Sequence, residues 1–213
     1  MRITKYGHAC VALEKDGRRI VLDPGSLTEL DATEGADAIL ITHQHFDHFA
    51  EQTVRAACER RPGTQVLTCE PVAAQLTGLG PSLTVVGGGD AIEVAGFDLQ
   101  VHGEWHAVVH PDIPRVRNVG FLIDGSLFHP GDAFTVPGSR VSTLLLPVHG
   151  PWSRTGELID WVREVAPQQV LAIHDGALND VGLATVARLL GGGGPGTGVP
   201  YTRVEPGESL ETS

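Results

Sequence analysis

The chain has 213 residues and a formal net charge of −11, and its 15 Lys and Arg residues are scattered rather than gathered into a stripe. General nucleic-acid binders carry a basic patch, so we expect no nucleic-acid partner, and the acidic balance also disfavours anionic membranes. The length suits one hydrophobic core, which predicts a single domain over residues 1–213.

The cellular compartment is predicted from the N-terminus and the cysteines. The opening residues alternate and turn polar early, unlike a signal peptide, and no apolar run approaches the ~20 residues that span a bilayer. Cys10, Cys58 and Cys69 are odd in number and form no CxxC pair, which is typical of a reducing compartment. We therefore expect a cytoplasmic protein, and nothing in the sequence specifies an oligomeric state.

The first part of the chain predicts a β-meander followed by two strand–helix units. Residues 2–6, 9–14 and 18–22 read as three strands, because Asp-Gly and Asp-Pro-Gly turns separate them. The units that follow are a strand in 36–42, a helix over 50–61, a strand in 64–69 and a helix over 70–79.

The second part of the chain repeats this style. It predicts an antiparallel group over 83–106, a hairpin over 119–132, a buried strand in 141–150, a helix over 157–166, a strand in 168–176, a helix over 180–190 and an edge strand in 200–206. Two meanders that each lead into strand–helix units indicate two sheets packed face to face, with helices outside.

A histidine-rich loop, "ITHQHFDHFA", follows the strand predicted in 36–42. His43 and His45 project to the same side of an extended segment and can share one metal ion. Asp47 continues that spacing, whereas the turn into the helix displaces His48. One loop could therefore supply parts of two metal sites, each of which needs three or four ligands.

Candidate ligands that would complete these sites also lie where predicted strands end. His106, Asp132 and His174 each close a predicted strand, and ligands collect at the carboxyl ends of strands in α/β sheets. Asp132 and His174 each have a structural alternative, a Gly-Asp turn residue and a core histidine, respectively. Spacing does not separate His106 from His102 or His110.

Taken together, these segments resemble the metallo-β-lactamase superfamily of metal-dependent hydrolases. "THQHFDH" is similar to its HxHxDH signature, "HPGDAF" to its Gly-Asp segment and "AIHDG" to its final histidine motif, in the family's order and over nearly the whole chain. The segments "YGHACVALE", "IVLDPG" and "LLLPVHGPW" resemble the compact branch that includes ascorbate-6-phosphate lactonase.

The resemblance implies an α/β fold, a four-layer αββα sandwich, with a two-metal site in the cleft between the sheets. It favours His106 over its neighbours as a ligand. The implied assignment is His43, His45 and His106 on the first ion, Asp47, His48 and His174 on the second, and Asp132 bridging both. The expected cofactors are two divalent ions, with Zn²⁺ first and Mn²⁺ or iron as alternatives.

The expected reaction is hydrolysis of a small-molecule lactone, ester or amide. Two ions that share a water lower its pKa, so hydroxide is the expected nucleophile, with Asp47 and Asp132 as the catalytic carboxylates. A phosphodiesterase of the same fold and a non-catalytic metal-binding protein are the alternatives.

Other residues are predicted around the ligands. His8 and Asp23 are expected to orient ligands, and His110 and His149 are candidates for protonating the leaving group. We expect a substrate cleft around His110, Arg140 and Trp152, although solvated surface charge is the alternative for any single arginine.

Overall fold

The fold is seen in a computed structural model that describes residues 1–29, 31–191 and 194–212. In chain order the strands are β1 (Arg2–Gly7), β2 (Cys10–Lys15), β3 (Arg18–Leu22), β4 (Ala38–Ile41), β5 (Gln65–Thr68), β6 (Leu83–Val85), β7 (Ala91–Val94), β8 (Phe97–His102), β9 (Gly120–Ile123), β10 (Leu127–His129), β11 (Thr143–Pro147), β12 (Gln169–Ile173), β13 (Tyr201–Thr202) and β14 (Ser209–Glu211). The α-helices are α1 (Glu51–Arg60), α2 (Glu70–Ala73), α3 (Thr155–Val165) and α4 (Asp180–Leu190).

The strands form two mixed sheets of seven strands each. The first has the order β14-β1-β2-β3-β4-β5-β6, and the second has the order β13-β12-β11-β10-β9-β8-β7. In the first sheet the neighbouring strands β14, β1, β2 and β3 pair antiparallel, and the neighbouring strands β3, β4, β5 and β6 pair parallel. In the second sheet β7 to β10 pair antiparallel and β10 to β13 pair parallel.

Residue alternation along the strands divides the core into layers. Leu145 of β11 joins a cluster that contains inward side chains of both sheets, whereas its neighbours Leu144 and Leu146 pack with Trp161 and Val162 of α3 on the outer face of the second sheet. Successive side chains of a strand point to opposite faces, so buried runs of this kind need a cover on both sides. The predicted αββα sandwich is confirmed.

The three opening strands and helices α1, α3 and α4 match the sequence predictions. The helix predicted over 70–79 is wrong beyond its first turn, because α2 ends at Ala73. Gly78 has a φ of +94° and a 3₁₀ turn at Gly80–Ser82 follows, a backbone path that no α-helix can take.

Strand β6 also differs from the prediction. Residues 83–85 were expected to belong to an antiparallel group, but they pair parallel with β5 at the edge of the first sheet. The glycine-rich segment at 87–89 then carries the chain across to β7 in the second sheet.

The helices are short for a membrane-spanning element. The longest, α3 and α4, have 11 residues each, whereas about 20 are needed to cross a bilayer. In the described part of the chain, no helix has the length and apolar character of a membrane span.

Candidate metal centre

The predicted site residues lie at one edge of each sheet because their strands run in the same direction. Strands β1, β3 and β4 are mutually parallel in the first sheet, as are β8, β10 and β12 in the second. The residues that follow these strands are His8, Asp23, His43, His45, Asp47 and His48 in the first sheet, and His106, Asp132 and His174 in the second.

Two of these residues lie farther from their strands than predicted. Strand β8 ends at His102, so His106 sits in the loop beyond it, beside an isolated bridge between Trp105 and Arg117. Strand β10 ends at His129, and Asp132 lies in the following loop. His174, in contrast, directly follows β12 as predicted.

The side chains form two groups of donor atoms, and within each group all ligand atoms lie within 4.8 Å of one another. The groups are His43, His45, His106 and Asp132, and His8, Asp47, His48 and His174. The loop at 41–50 contributes to both groups. The structure therefore brings all seven predicted ligands together and adds His8 to the second group.

Asp132 lies between the two groups. Its Oδ2 is 3.4 Å from His106 Nε2 and 3.9 Å from His43 Nε2 on one side, and 3.1 Å from His174 Nε2 on the other. Its Oδ1 is 3.2 Å from His48 Nε2. One carboxylate thus reaches both groups of histidines.

The hydrogen bonds of three histidines assign their tautomers. His48 Nδ1–H donates to Asp23 Oδ2 at 2.6 Å, and His106 Nδ1–H donates to the Ala107 carbonyl at 2.6 Å. His43 Nδ1–H donates to Thr42 Oγ1 at 3.0 Å, because that hydroxyl gives its own proton to Asp23. In each ring Nε2 therefore faces the cluster and is the nitrogen that would bind an ion, as in metal-binding histidines.

Several buried nitrogen and oxygen atoms that could bind a metal ion lack hydrogen-bond partners. These atoms are the Nε2 atoms of His48, His106 and His174, Nδ1 of His174, and Oδ1 of Asp132. The short distances among them do not have hydrogen-bond alignment, and a buried polar atom without a partner is unfavourable by about 1–3 kcal/mol. Convergent nitrogen and oxygen lone pairs fit divalent metal ions, and His with Asp is a donor set that suits zinc, manganese or iron.

Asp23 fixes the histidine loop through three hydrogen bonds. This fully buried carboxylate accepts hydrogen bonds from the Thr42 amide at 2.8 Å, the Thr42 hydroxyl at 2.7 Å and His48 Nδ1 at 2.6 Å. The contacts to Thr42 were not predicted from the sequence; a Thr beside a candidate ligand is the only signal for them.

His8 contacts Asp47 through the nitrogen that faces the second donor group. The Gly176 amide donates to His8 Nδ1 at 3.1 Å, so Nδ1 is an acceptor and the proton of the neutral ring is on Nε2. His8 Nε2–H then donates to Asp47 Oδ2 at 3.1 Å. In this tautomer His8 has no lone pair left for an ion, and its geometry is that of a residue that orients a ligand.

The charges of the cluster shift its pKa values in opposite directions. Burial lowers the pKa of His43 well below its usual range. Burial opposes charge on His174 too, but the charge of Asp132 outweighs it and raises the pKa of His174 to about 9. Burial would raise the pKa values of Asp47 and Asp132, yet the neighbouring histidines hold both well below the usual range. The two carboxylates are therefore ionised and favour positive charge between them.

Three residues of the site have strained backbone conformations. His8, Asp23 and His174 have φ values of 44°, 48° and 59°, a region that non-glycine residues rarely adopt. Gly131, with φ +63°, precedes Asp132, and a Cβ there would lie 2.2 Å from Asn118 Oδ1. These residues hold conformations that only the surrounding packing can enforce.

Two side chains, Asn118 and Trp152, fix Asp132 and the loop before it through contacts that were not predicted from the sequence. Asn118 Oδ1 accepts from the Asp132 amide at 3.0 Å, and its Nδ2 donates to the Pro130 carbonyl at 2.9 Å. Trp152 Nε1–H donates to Asp132 Oδ2 at 3.0 Å. Both partners come from other loops, so no local pattern in the sequence predicts these contacts.

The predicted leaving-group acids lie apart from the donor groups. His110 is exposed and its Nδ1 accepts from the Asp112 amide, and His149 is also exposed. Within the described residues, neither ring contacts a member of the two groups. Trp152, which we expected at the substrate cleft, does contact the site through its hydrogen bond to Asp132.

Comparison with known proteins agrees with this geometry. Residues 2–174 match the family described as "Beta-lactamase superfamily domain". Protein Rv0786c of Mycobacterium tuberculosis is 36% identical over 180 residues, covering 82% of this chain and 84% of that protein. The UPF0173 metal-dependent hydrolase MJ1163 of Methanocaldococcus jannaschii is 26% identical over 187 residues, covering 81% and 83%.

A solved structure shows the same fold. The metallo-β-lactamase fold protein YhfI from Bacillus subtilis superposes with a TM-score of 0.72 at 14% sequence identity, covering 99% of this chain and 98% of that one.

The chain belongs to the metallo-β-lactamase superfamily. It is a metal-dependent hydrolase of this superfamily, and the resemblance recognised in the sequence is confirmed.

Proposed function

We propose that the protein hydrolyses a small-molecule lactone, ester or amide with two divalent metal ions. The observation that carries this proposal is the position of Asp132 between two groups of histidines, 3.4 Å from His106 on one side and 3.1 Å from His174 on the other. In the proposed assignment, His43, His45 and His106 would hold one ion, Asp47, His48 and His174 would hold the other, and Asp132 would be a ligand of both. The expected metal is Zn²⁺, with Mn²⁺ or iron as alternatives.

When bound, such a metal pair supplies an activated water as nucleophile and polarises the oxygen on which charge develops. The protein's own residues hold the geometry. Asp23 fixes the ring of His48, His8 fixes the carboxylate of Asp47, and Trp152 fixes the carboxylate of Asp132. These contacts support orienting roles for His8 and Asp23.

Asp47 is proposed to accept the proton released during attack. Its side chain is 16% exposed, against 3% for Asp132, so it is the carboxylate of the cluster that solvent can reach. The hydrogen bond from His8 keeps it ionised and aimed at the cluster. Neither His110 nor His149 is placed to protonate a leaving group, and Asp47 can return the proton instead.

The test combines metal analysis with a substrate comparison. Purified protein is analysed for zinc, manganese and iron and assayed on a panel of lactones and on bis-(p-nitrophenyl) phosphate. We expect about two ions per chain and a higher kcat/KM on a lactone. A higher kcat/KM on the phosphate diester would replace the proposal with a phosphodiesterase, and metal without any turnover would favour a binding protein.

A further inference from the structure

A cavity of about 560 Å³ adjoins the metal centre. Three aromatic side chains, Trp105, Phe134 and Trp152, line it together with one cation, Arg115, and one anion, Glu157. We call it the aromatic cavity. Small-molecule sites usually combine apolar and aromatic walls with a few placed polar groups, and the aromatic cavity has both.

The aromatic cavity shares a wall with the metal centre. Trp152 Nε1–H donates to Asp132 Oδ2, and the Trp152 ring lies 5.9 Å from the rings of both His106 and His174. Two further lining residues, Ala107 and Ala133, directly follow His106 and Asp132 in the chain. A molecule in the cavity therefore lies next to the proposed reacting centre.

The wall of the cavity that faces α3 is rigid. Phe134 packs edge-on between Trp152 at 5.4 Å and Trp161 at 5.7 Å, and Trp161 Nε1–H donates to the Thr135 carbonyl. Such aromatic contacts stabilise one ring arrangement. This wall is preorganised for an apolar, flat group.

The opposite wall is partly open to solvent. Trp105 is 39% exposed and Val108 is 49% exposed, although Trp105 is held in place by Arg117, whose guanidinium lies 4.1 Å from the ring centroid. Arg117 is itself paired with Glu104. Exposed apolar side chains on an ordered surface next to a reacting centre are explained by a ligand that covers them.

Arg115 supplies the charge of the aromatic cavity. Its Nε donates to the His106 carbonyl at 2.9 Å, which anchors the guanidinium beside a metal ligand. Within the described residues no carboxylate lies within ion-pair distance of Arg115, and Glu157 accepts a hydrogen bond from the Arg154 amide as part of the helix cap of α3. In a chain of net charge −11, this is a local site for a carboxylate or similar anion.

We propose that the aromatic cavity binds the non-reacting part of the substrate, and that this part is an apolar or aromatic group carrying an anionic group bound by Arg115. The inference rests on the proposed function for the reaction itself. It names the substrate class as carboxylated aryl or alkyl lactones, esters or amides.

Binding is tested without turnover on Zn²⁺-loaded protein by calorimetric titration with 3-phenylpropanoate and with 3-phenylpropanol, which has the same apolar group without the charge. We expect the carboxylate to bind at least tenfold more tightly. Arg115→Gln removes this preference, whereas Arg140→Gln, an exposed arginine that does not line the cavity, retains it. Trp105→Ala weakens both ligands by about tenfold.

A preference that survives Arg115→Gln, as it would if the carboxylate bound the metal ions, would overturn the proposal, and so would equal affinity of the two ligands. The zinc content of each variant shows that the metal centre is intact. An Arg115-dependent preference in a protein that hydrolyses no lactone would leave the recognition site standing and reject the proposed reaction alone.

Discussion

At the scale of single residues, the site depends on which ring nitrogen of each histidine carries the proton. In His43, His48 and His106 the Nδ1–H is bound to an oxygen of the protein, which directs Nε2 to the cluster. In His8 the bonding is reversed, because Nδ1 accepts from Gly176. Similar imidazoles therefore have different roles, which the hydrogen-bond partners decide.

Asp23→Asn tests the support of His48. The amide keeps the size of the side chain and tolerates the left-handed backbone, but it cannot accept all three hydrogen bonds that Asp23 accepts. We expect zinc affinity to fall about tenfold or more, measured by competition with a chromogenic chelator. The matched control is Asp16→Asn, at a left-handed turn position with φ 52°; equal affinities in the two variants would contradict the prediction.

Metal binding is expected to release protons. The pKa of His174 is raised to about 9, so this ring is protonated in the metal-free protein at pH 7.5, and the pKa of His48 is raised as well. A ligand must lose that proton to bind an ion. Calorimetric titrations with zinc in two buffers of different ionisation enthalpy should give different heats at pH 7.5.

The same pKa shifts fix the sign of a stability change. Because His174 has a raised pKa when folded, its contribution to metal-free stability is present below its usual pKa and is lost as pH rises through about 9. Proton release on metal binding should shrink over the same range. Identical heats in the two buffers at pH 7.5 would show that the His174 ring is already neutral.

At the scale of elements, the position of a strand's end was easier to predict than the course of the loop beyond it. Turn residues placed β1 to β3 correctly, and a continuous apolar run placed β4. His106 required the family resemblance, since it lies past the end of β8 and spacing could not separate it from His102. Asn118 and Trp152 act on Asp132 from distant loops, so no local pattern predicts them.

The loop that carries Asp132 depends on Gly131. Gly131→Ala would place a Cβ 2.2 Å from Asn118 Oδ1 on a backbone with φ +63°, which disfavours both the conformation and the packing. We expect a loss of about 2 kcal/mol or more in the free energy of unfolding, together with loss of bound zinc, measured by urea unfolding and elemental analysis.

Gly125→Ala is the matched control for this prediction. Gly125 has a similar φ of +60°, but nothing lies within 4 Å of its Cβ position. The backbone penalty alone is about 1 kcal/mol, and zinc content should stay unchanged. Equal effects of the two substitutions would show that the contact with Asn118 is not important.

At the scale of the whole molecule, the donor atoms come from both sheets. The loop after β4 holds His43, His45, Asp47 and His48, and the second sheet supplies His106, Asp132 and His174. Bound ions would therefore connect the two halves of the sandwich at the edge where the cleft opens. The apolar core extends between the sheets independently of this connection.

Removal of metal is expected to lower thermal stability without unfolding the protein. With free zinc at a thousand times its Kd, binding stabilises the folded state by about 4 kcal/mol, which corresponds to roughly 10 °C in Tm for a domain of this size. Differential scanning calorimetry with and without chelator measures the change. Asp132→Asn should make Tm nearly independent of chelator. A chelator effect of full size in that variant would show that Asp132 is not needed for metal binding.

The substrate surroundings were the least predictable part of the site. The sequence led us to expect a cleft around His110, Arg140 and Trp152, and of these only Trp152 lines the aromatic cavity. Arg115 takes the place expected of Arg140, because the loop after His106 folds back and its guanidinium reaches the His106 carbonyl. Contacts that a loop makes by folding back on itself leave no periodic pattern in the sequence, so the sequence does not predict them.

The left-handed backbone at His8, Asp23 and His174 also bears on how the protein can evolve. Each of these residues is unfavourable where it stands by roughly 1–3 kcal/mol, so glycine at position 8 or 174 would relieve strain while removing a side chain of the metal centre. A selection for thermal stability alone would enrich such changes, and a selection for turnover would remove them. Stability and activity therefore compete at the metal centre of this chain.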